Sequence, residues 1–256
     1  MRLRNRFLLA ILVPTVALAA GVFVGFRAGT AHALHGLVGD NDDARRAAHA
    51  VRYALGLDGF HGIYGQDLWV LNTVHPGLKD GYFVDIGSAD GEVISNTRRL
   101  EDEGWRGICI DPFPRNMQRR SCQTFAEAVD SESGRTVKFQ NPGDFAGGIV
   151  SYAGWWVSDA QKGKAVELKT TTIGDILERA NAPGYIHYLN IDIEGAEYEA
   201  LRVFPFDRYK IGAITIEHNN LEERRIQLRD LLEGHGYRLE WAIRDQDWYV
   251  PKDAAR

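Results

Sequence analysis

The sequence predicts an open, mostly parallel α/β sheet of seven strands, with helices on both faces, behind a single membrane-spanning helix. Three observations lead there. From Gly59 onward, apolar runs alternate with amphipathic stretches, the order expected of β-α-β units around a parallel sheet. The strand-like runs end on short turns rich in acidic residues and glycine, and strand ends are where such a sheet presents its ligand-binding rim. Ahead of both, Phe7 to Phe26 carries no charge and lies between Arg2, Arg4 and Arg6 on one side and Arg27 on the other; about 20 such residues cross a bilayer as a helix.

Residues 1–27 are accordingly read as a membrane anchor and residues 28–58 as a linker or stalk, rich in Ala, His, Arg and Asp, with a helical stretch near Asp43 to Leu57. Pro14 kinks a spanning helix without excluding it. A cleavable secretory signal is the competing reading, because Ala17, Ala19 and Ala20 are small, but its apolar core normally runs only about 7 to 15 residues. The folded domain is residues 59–253.

Within the domain, the first strand is Tyr82 to Ile86, followed by a helix from Glu92 to Glu103 that Gly104 terminates. Gly107 to Ile110 is the second strand, a helix through Met117 to Arg120 follows, and Thr124 to Val129 is the third. Residues 130–169 show no regular pattern. Thr172 caps a helix carrying Ile173, Ile176 and Leu177. Tyr185 to Ile191 is the fourth strand, Ala196 to Val203 a helix, and Ile211 to Glu217 the fifth strand. A helix from Leu221 to Glu233, a break at Gly234 and Gly236, and two β segments, Arg238 to Ile243 and Trp248 to Val250, complete the sheet.

Composition narrows the function. With 35 acidic against 30 basic residues and a formal charge of -5, the chain lacks the basic field that holds a phosphate backbone, so nucleic acid is not an expected partner. The two cysteines, Cys109 and Cys122, show no CxxC spacing and are expected as free thiols.

The chemistry-bearing residues fall at strand ends. Asp85-Ile86-Gly87-Ser88-Ala89-Asp90-Gly91 has the spacing D-x-G-x-x-x-G, in which the glycines permit a tight turn and close backbone approach by a ligand. It lacks the G-x-G-x-x-G of dinucleotide folds, which seats a pyrophosphate on a helix N-terminus; an acidic strand end suits a ligand bearing an ammonium group. About 20 residues on, Asp111-Pro112 ends the next strand, where a carboxylate accepts hydrogen bonds from ribose hydroxyls. The alternative is that Asp111 caps a helix before Pro112. Asp192-Ile193-Glu194-Gly195 closes the fourth strand, and alternation places the two carboxylates on one side if the strand extends that far. Either is suited to act as a general base, or both to hold a divalent cation; the alternative is that Glu194 caps the next helix. Glu217-His218-Asn219-Asn220 ends the fifth strand, with His218 a base, a metal ligand or an ordinary loop residue. Gln66, Asp67, Ser95 and Asn96 either reach a ligand or brace helices. Gly147-Gly148 through Trp155-Trp156 is either a lid or a packing surface.

Taken together, Tyr64-Gly65-Gln66-Asp67, Phe83-Val84-Asp85-Ile86-Gly87, Ser95-Asn96-Thr97, Gly104 to Pro112, Asn190 to Glu197 and Glu217-His218 resemble the FkbM family of S-adenosylmethionine-dependent methyltransferases over roughly Tyr64 to Pro251. The family often has Glu where this chain has Asp111 and Lys where it has Asn190. The resemblance implies a Rossmann-like methyltransferase sheet and O-methylation of a hydroxyl on a sugar, glycan or related metabolite. On that basis S-adenosylmethionine is expected against Asp85, Gly87, Ser88, Ala89, Asp90, Gly91, Asn96, Asp111 and Pro112, with catalysis at Asp192, Glu194, Glu217 and His218. A membrane-tethered binding protein that has lost turnover, and a nucleotide-sugar enzyme, are the alternatives from other classes.

Overall fold

The computed structural model describes residues 59–140, 145–152 and 165–254. The anchor, the stalk and Trp155-Trp156 lie outside these residues; among those described, no helix is long and apolar enough to cross a membrane.

In chain order the elements begin with α1 (Gln66–Trp69), which runs into a π turn (Val70–Val74), then β1 (Tyr82–Ile86), α2 (Arg98–Asp102), β2 (Arg106–Ile110), a 3₁₀ turn (Met117–Arg119), β3 (Gln123–Phe125), β4 (Ala128–Val129), β5 (Thr136–Gln140) and β6 (Gly148–Ile149). They continue with β7 (Val166–Thr171), α3 (Ile173–Arg179), β8 (Tyr185–Ile186), β9 (Tyr188–Ile191), α4 (Glu197–Leu201), β10 (Lys210–Ile211), β11 (Ile214–Glu217), α5 (Glu222–Gly234), β12 (Tyr237–Ile243) and β13 (Gln246–Pro251). Seven strands form the main sheet in the order β12-β13-β11-β9-β1-β2-β3. The sheet is mixed: β3, β2, β1, β9 and β11 pair in parallel, and β13 runs against both β11 and β12. The order reverses between β1 and its neighbours β2 and β9, so the carboxyl ends of these three strands frame a topological switch point.

Strand alternation sorts the core into two faces. Val84, Ile86, Ile108, Ile110, Leu189 and Ile216 point to one side, against Ile173, Ile176 and Leu177 of α3, Leu201 of α4 and Leu228 and Leu232 of α5. Phe83, Cys109, Tyr188 and Trp248 point to the other, against Trp69, Val70 and Leu100. Burying a large apolar side chain contributes roughly 1.5–3 kcal/mol, so both helix layers are held by the same strands through opposite residues. The Thr172 hydroxyl caps α3, accepting the Asp175 amide at 3.2 Å.

Several sequence expectations need correction. The helix expected over Glu92 to Glu103 is confined to Arg98–Asp102, because Asp90 captures the amides of Glu92 and Val93 and Ile94 takes a φ of 50°. The expected third strand splits: β3 stays in the main sheet, whereas β4 leaves it to pair with β7. The fourth strand breaks at His187, whose ring accepts the Tyr82 amide, and the fifth at Gly212-Ala213. Residues 130–169, patternless in sequence, contribute β5 and β6 to a separate sheet ordered β4-β7-β5-β6.

The cysteines are not free. Cys109 and Cys122 form a disulfide with their Cα atoms 5.8 Å apart. The register of the parallel pair, with Cys109 opposite Thr124, carries Cys122 alongside β2 as the chain enters β3, a proximity that sequence spacing does not reveal. Closing this short loop contributes about 3 kcal/mol by reducing unfolded-chain entropy.

Candidate functional site

A cleft crosses the carboxyl ends of β1, β2, β9 and β11 in two connected parts, sharing Gly87, Ala89, Phe145 and Asp192. The first, about 530 Å³, is an apolar slot between Ile110, Val129, Phe139 and Ile149, with Asp111 and Pro112 in its wall. The second, about 740 Å³ and open to solvent, holds most of the polar groups.

The turn after β1 crosses the end of β2, with the Gly87 and Ser88 amides donating to the Ile110 carbonyl at 2.8 and 3.1 Å. Gly87 has a φ of 87°, and a β-carbon there would lie 1.7 Å from the Asp192 carbonyl oxygen, so a contact within the protein already demands glycine. Gly91 is packed against Asn116, Met117 and Arg120 rather than facing the cleft. Asp90 is likewise turned to the loop: it accepts the Glu92 and Val93 amides and the Asn116 side-chain amide, bonds that hold its carboxyl below the usual range despite burial. Ser88 is different. It is 5% exposed, lines the second part of the cleft, and its hydroxyl has no partner among the described residues.

Asp111 stands just beyond β2. Its carboxylate accepts the Phe113 amide at 2.7 Å and the Ala89 amide at 3.1 Å, one from each side of the slot. Two amides leave further lone pairs on the same oxygens. Burial pushes its pKa up, although both bonds oppose the shift.

Asp85 lies deeper. Thr97 donates to one oxygen at 2.6 Å and Asn190 to the other at 2.9 Å, while Asn96 donates to Asn190 and leaves its own carbonyl oxygen, in the cleft, without a partner among the described residues. Asp85 therefore anchors this turn from below as well as facing the cleft. Behind it sits a residue that sequence reasoning missed. The Arg120 side chain is 0% exposed and donates to Glu101 at 2.7 Å, to the Gly91 carbonyl and Ser95 hydroxyl at 3.1 Å, and to Thr97 at 2.8 Å.

On the opposite wall, β9 stops at Ile191, so Asp192 and Glu194 are not brought together by strand alternation. They converge through a turn in which Glu194 has a φ of 54° and Gly195 one of 114°. A non-glycine residue held there costs of order 1–3 kcal/mol and needs a surrounding that enforces it. Glu197, the first residue of α4, supplies it by accepting the Ile193 and Gly195 amides at 3.0 and 2.9 Å. Asp192, Glu194 and Glu217 each bring one oxygen within 4.8 Å of the others, close enough for shared protons or a divalent cation. Burial, then mutual repulsion, raises Glu194 to about 8. Burial raises Asp192 to about 7, against the bond to Glu217 and with the charge of Glu197 adding, and burial followed by Asp192 and Glu194 puts Glu217 well above its ordinary value.

Gln246, also missed in the sequence, opposes Glu217 across the β11/β13 ladder. Its side-chain amide lies 3.4 Å from Asp192 and accepts from Gln66 at 2.8 Å. Gln66 thus acts through Gln246, and Asp67 spends its carboxylate on the His61, Gly62 and Leu68 amides. His218 is not among the cleft-lining residues; its ring lies 3.8 Å from Asp247, which Arg225 holds through two 2.8 Å bonds.

A family model described as the methyltransferase FkbM domain matches residues 85–239. No curated protein matches the chain. The match begins at the acid closing β1, takes in Asp111 and the Asp192, Glu194 and Glu217 trio, and spans more than half of the sequence: the chain belongs to the FkbM methyltransferase domain family.

Proposed function

We propose that this domain uses S-adenosylmethionine to methylate a hydroxyl of a sugar, glycan or related metabolite, and that residues 1–27 tether it to a membrane. The observation that carries the catalytic reading is one continuous cleft with an Asp111-walled apolar slot at one end and three crowded carboxyl groups at the other. The slot has the apolar walls that suit a flat heterocycle, Asp111 has lone pairs for the ribose hydroxyls, and the unpartnered Ser88 hydroxyl and Asn96 carbonyl suit a polar tail carrying both donors and acceptors. S-adenosylmethionine, when bound, supplies an electrophilic methyl group on a sulfonium.

The chain's own part is alignment and proton removal. A hydroxyl held in the second part of the cleft would donate to Asp192 or Glu194, and that carboxylate would take its proton. A group with a pKa near neutrality suits this proton transfer, being ionised often enough to accept yet basic enough to hold the proton. Glu197 orients the acceptor of that proton from behind the cleft, and Gln246 does so from the cleft wall. A divalent cation on the same trio is the competing use, and would show as turnover abolished by a chelator and restored by magnesium.

Calorimetric titration of S-adenosylmethionine into the full chain tests the reading. One-to-one binding is expected, weakened about 10- to 100-fold in Asp111→Ala by loss of charge-assisted hydrogen bonds. A folded chain that does not bind the donor would overturn it.

A further inference from the structure

The titratable groups lining the second part of the cleft are all carboxyls, apart from the Tyr64 phenol. The carboxyl groups of Asp85, Asp192, Glu194, Glu217 and Asp245 line it, and none of the described lining residues is lysine, arginine or histidine. Arg224, which approaches Glu197, is engaged with the Asn219 side chain and the Tyr152 carbonyl. At the acidic end, beyond the Ser88 hydroxyl and Asn96 carbonyl that suit the donor's tail, one buried oxygen of Glu217 has no partner among the described residues. The donors the protein itself brings to the trio are amides, Gln246 to Asp192 and Asn219 to Glu194. What is in surplus at this end is hydrogen-bond acceptors.

A ligand group that fits such a wall is a donor, a hydroxyl or an ammonium. An anionic group would stand among several acidic side chains, with no guanidinium or ammonium in the described lining to receive it. Building on the methyltransferase reading above, we propose that the acceptor is a non-anionic polyol, neutral or amine-bearing, and that phosphorylated and carboxylated saccharides are refused at this end of the cleft. A nucleotide sugar falls in the refused class, because its diphosphate finds no basic side chain in the described lining.

The test uses the full chain, labelled S-adenosylmethionine and a matched panel: glucose, glucosamine, N-acetylglucosamine, glucuronate and glucose 6-phosphate, each measured for label transfer once with chelator and once with magnesium. Neutral or amino members are expected to exceed the anionic members by at least about tenfold in kcat/KM. Asp245→Asn, outside the proton-accepting trio, narrows that gap by about threefold. An anionic sugar methylated as well as its neutral parent overturns the inference. Transfer to no member by a chain that binds the donor also overturns it, whereas failure of donor binding strikes at the methyltransferase reading itself.

Discussion

The two ends of the cleft are built on opposite principles. Around Asp111 and the Gly87 turn, almost every polar group has a protein partner: amides clamp both Asp111 oxygens, Asp90 is consumed by its own loop, and Thr97 and Asn190 fix Asp85. Around Asp192 the groups crowd one another instead, with three carboxyl oxygens within 4.8 Å. Apart from the Ser88 hydroxyl, the first end is finished before a ligand arrives; the second is left electrostatically incomplete. This is the division expected where one end must hold a molecule in place and the other must change protonation state during each turnover.

The largest effect should come from disabling the incomplete end alone. Asp192→Asn keeps the shape and removes the charge, and methyl transfer should fall about 10²- to 10⁴-fold in kcat/KM while donor affinity measured by titration stays within about threefold. Equal losses in both quantities would erase the contrast between the two ends.

Next is the support of the finished end. Arg120→Met leaves buried Glu101 with only the Ser121 and Cys122 amides and Arg98 at 3.9 Å, and chemical denaturation should show a loss of about 3 kcal/mol. Arg120→Lys should recover part of the stability but not the donor affinity, because an ammonium cannot span Glu101, Gly91, Ser95 and Thr97 at once. Reducing the disulfide, or replacing Cys109 and Cys122 by alanine, should cost about 3 kcal/mol in the same assay.

The smallest effect is a pH slope. Asp192 and Glu194 have folded pKa values of about 7 and 8, above the ordinary carboxyl value, so between that value and about 8 the native state binds more protons than the unfolded one. Stability contributed by these groups is therefore present at acidic pH and lost as pH rises through about 8, while turnover rises over the same interval as the base ionises. Melting curves of the wild type and of Glu194→Gln between about pH 5 and about pH 8 should diverge, the variant falling less. Parallel curves would show that the trio does not titrate in this range.

Much of this is legible in the sequence because it is local. Asp85, Asp111, Asp192 and Glu217 fall at strand ends, and strand ends can be read from apolar runs followed by polar turns. The disulfide, Arg120 and Gln246 are not legible, since their roles depend on which strands become neighbours; Gln66 and Gln246 bond across 180 residues of sequence. His218 fails for a related reason. The strand ends at Glu217, which lines the cleft, and the chain beyond it turns His218 toward Asp247. Asp192 and Glu194 do converge, but not through a continued strand: a left-handed turn braced by Glu197 brings them together. Asn190 also acquires a reason: it donates to Asp85 and accepts from Asn96 and Thr215, linking three strand ends through a neutral side chain.

The absent β-carbon of Gly87 carries one more consequence. Because the backbone at 87 rests directly on the Asp192 carbonyl, the floor that would carry the reactive methyl and the shoulder that carries its counterpart acid move as one piece. On the proposed reading, the distance across which transfer would occur is thus set by main chain rather than by side chains. Changes that retune which molecule is methylated have to come from the outer rim, at Tyr64, Phe145, Asp245 and Gln246, where side chains can be exchanged without moving that shared seam.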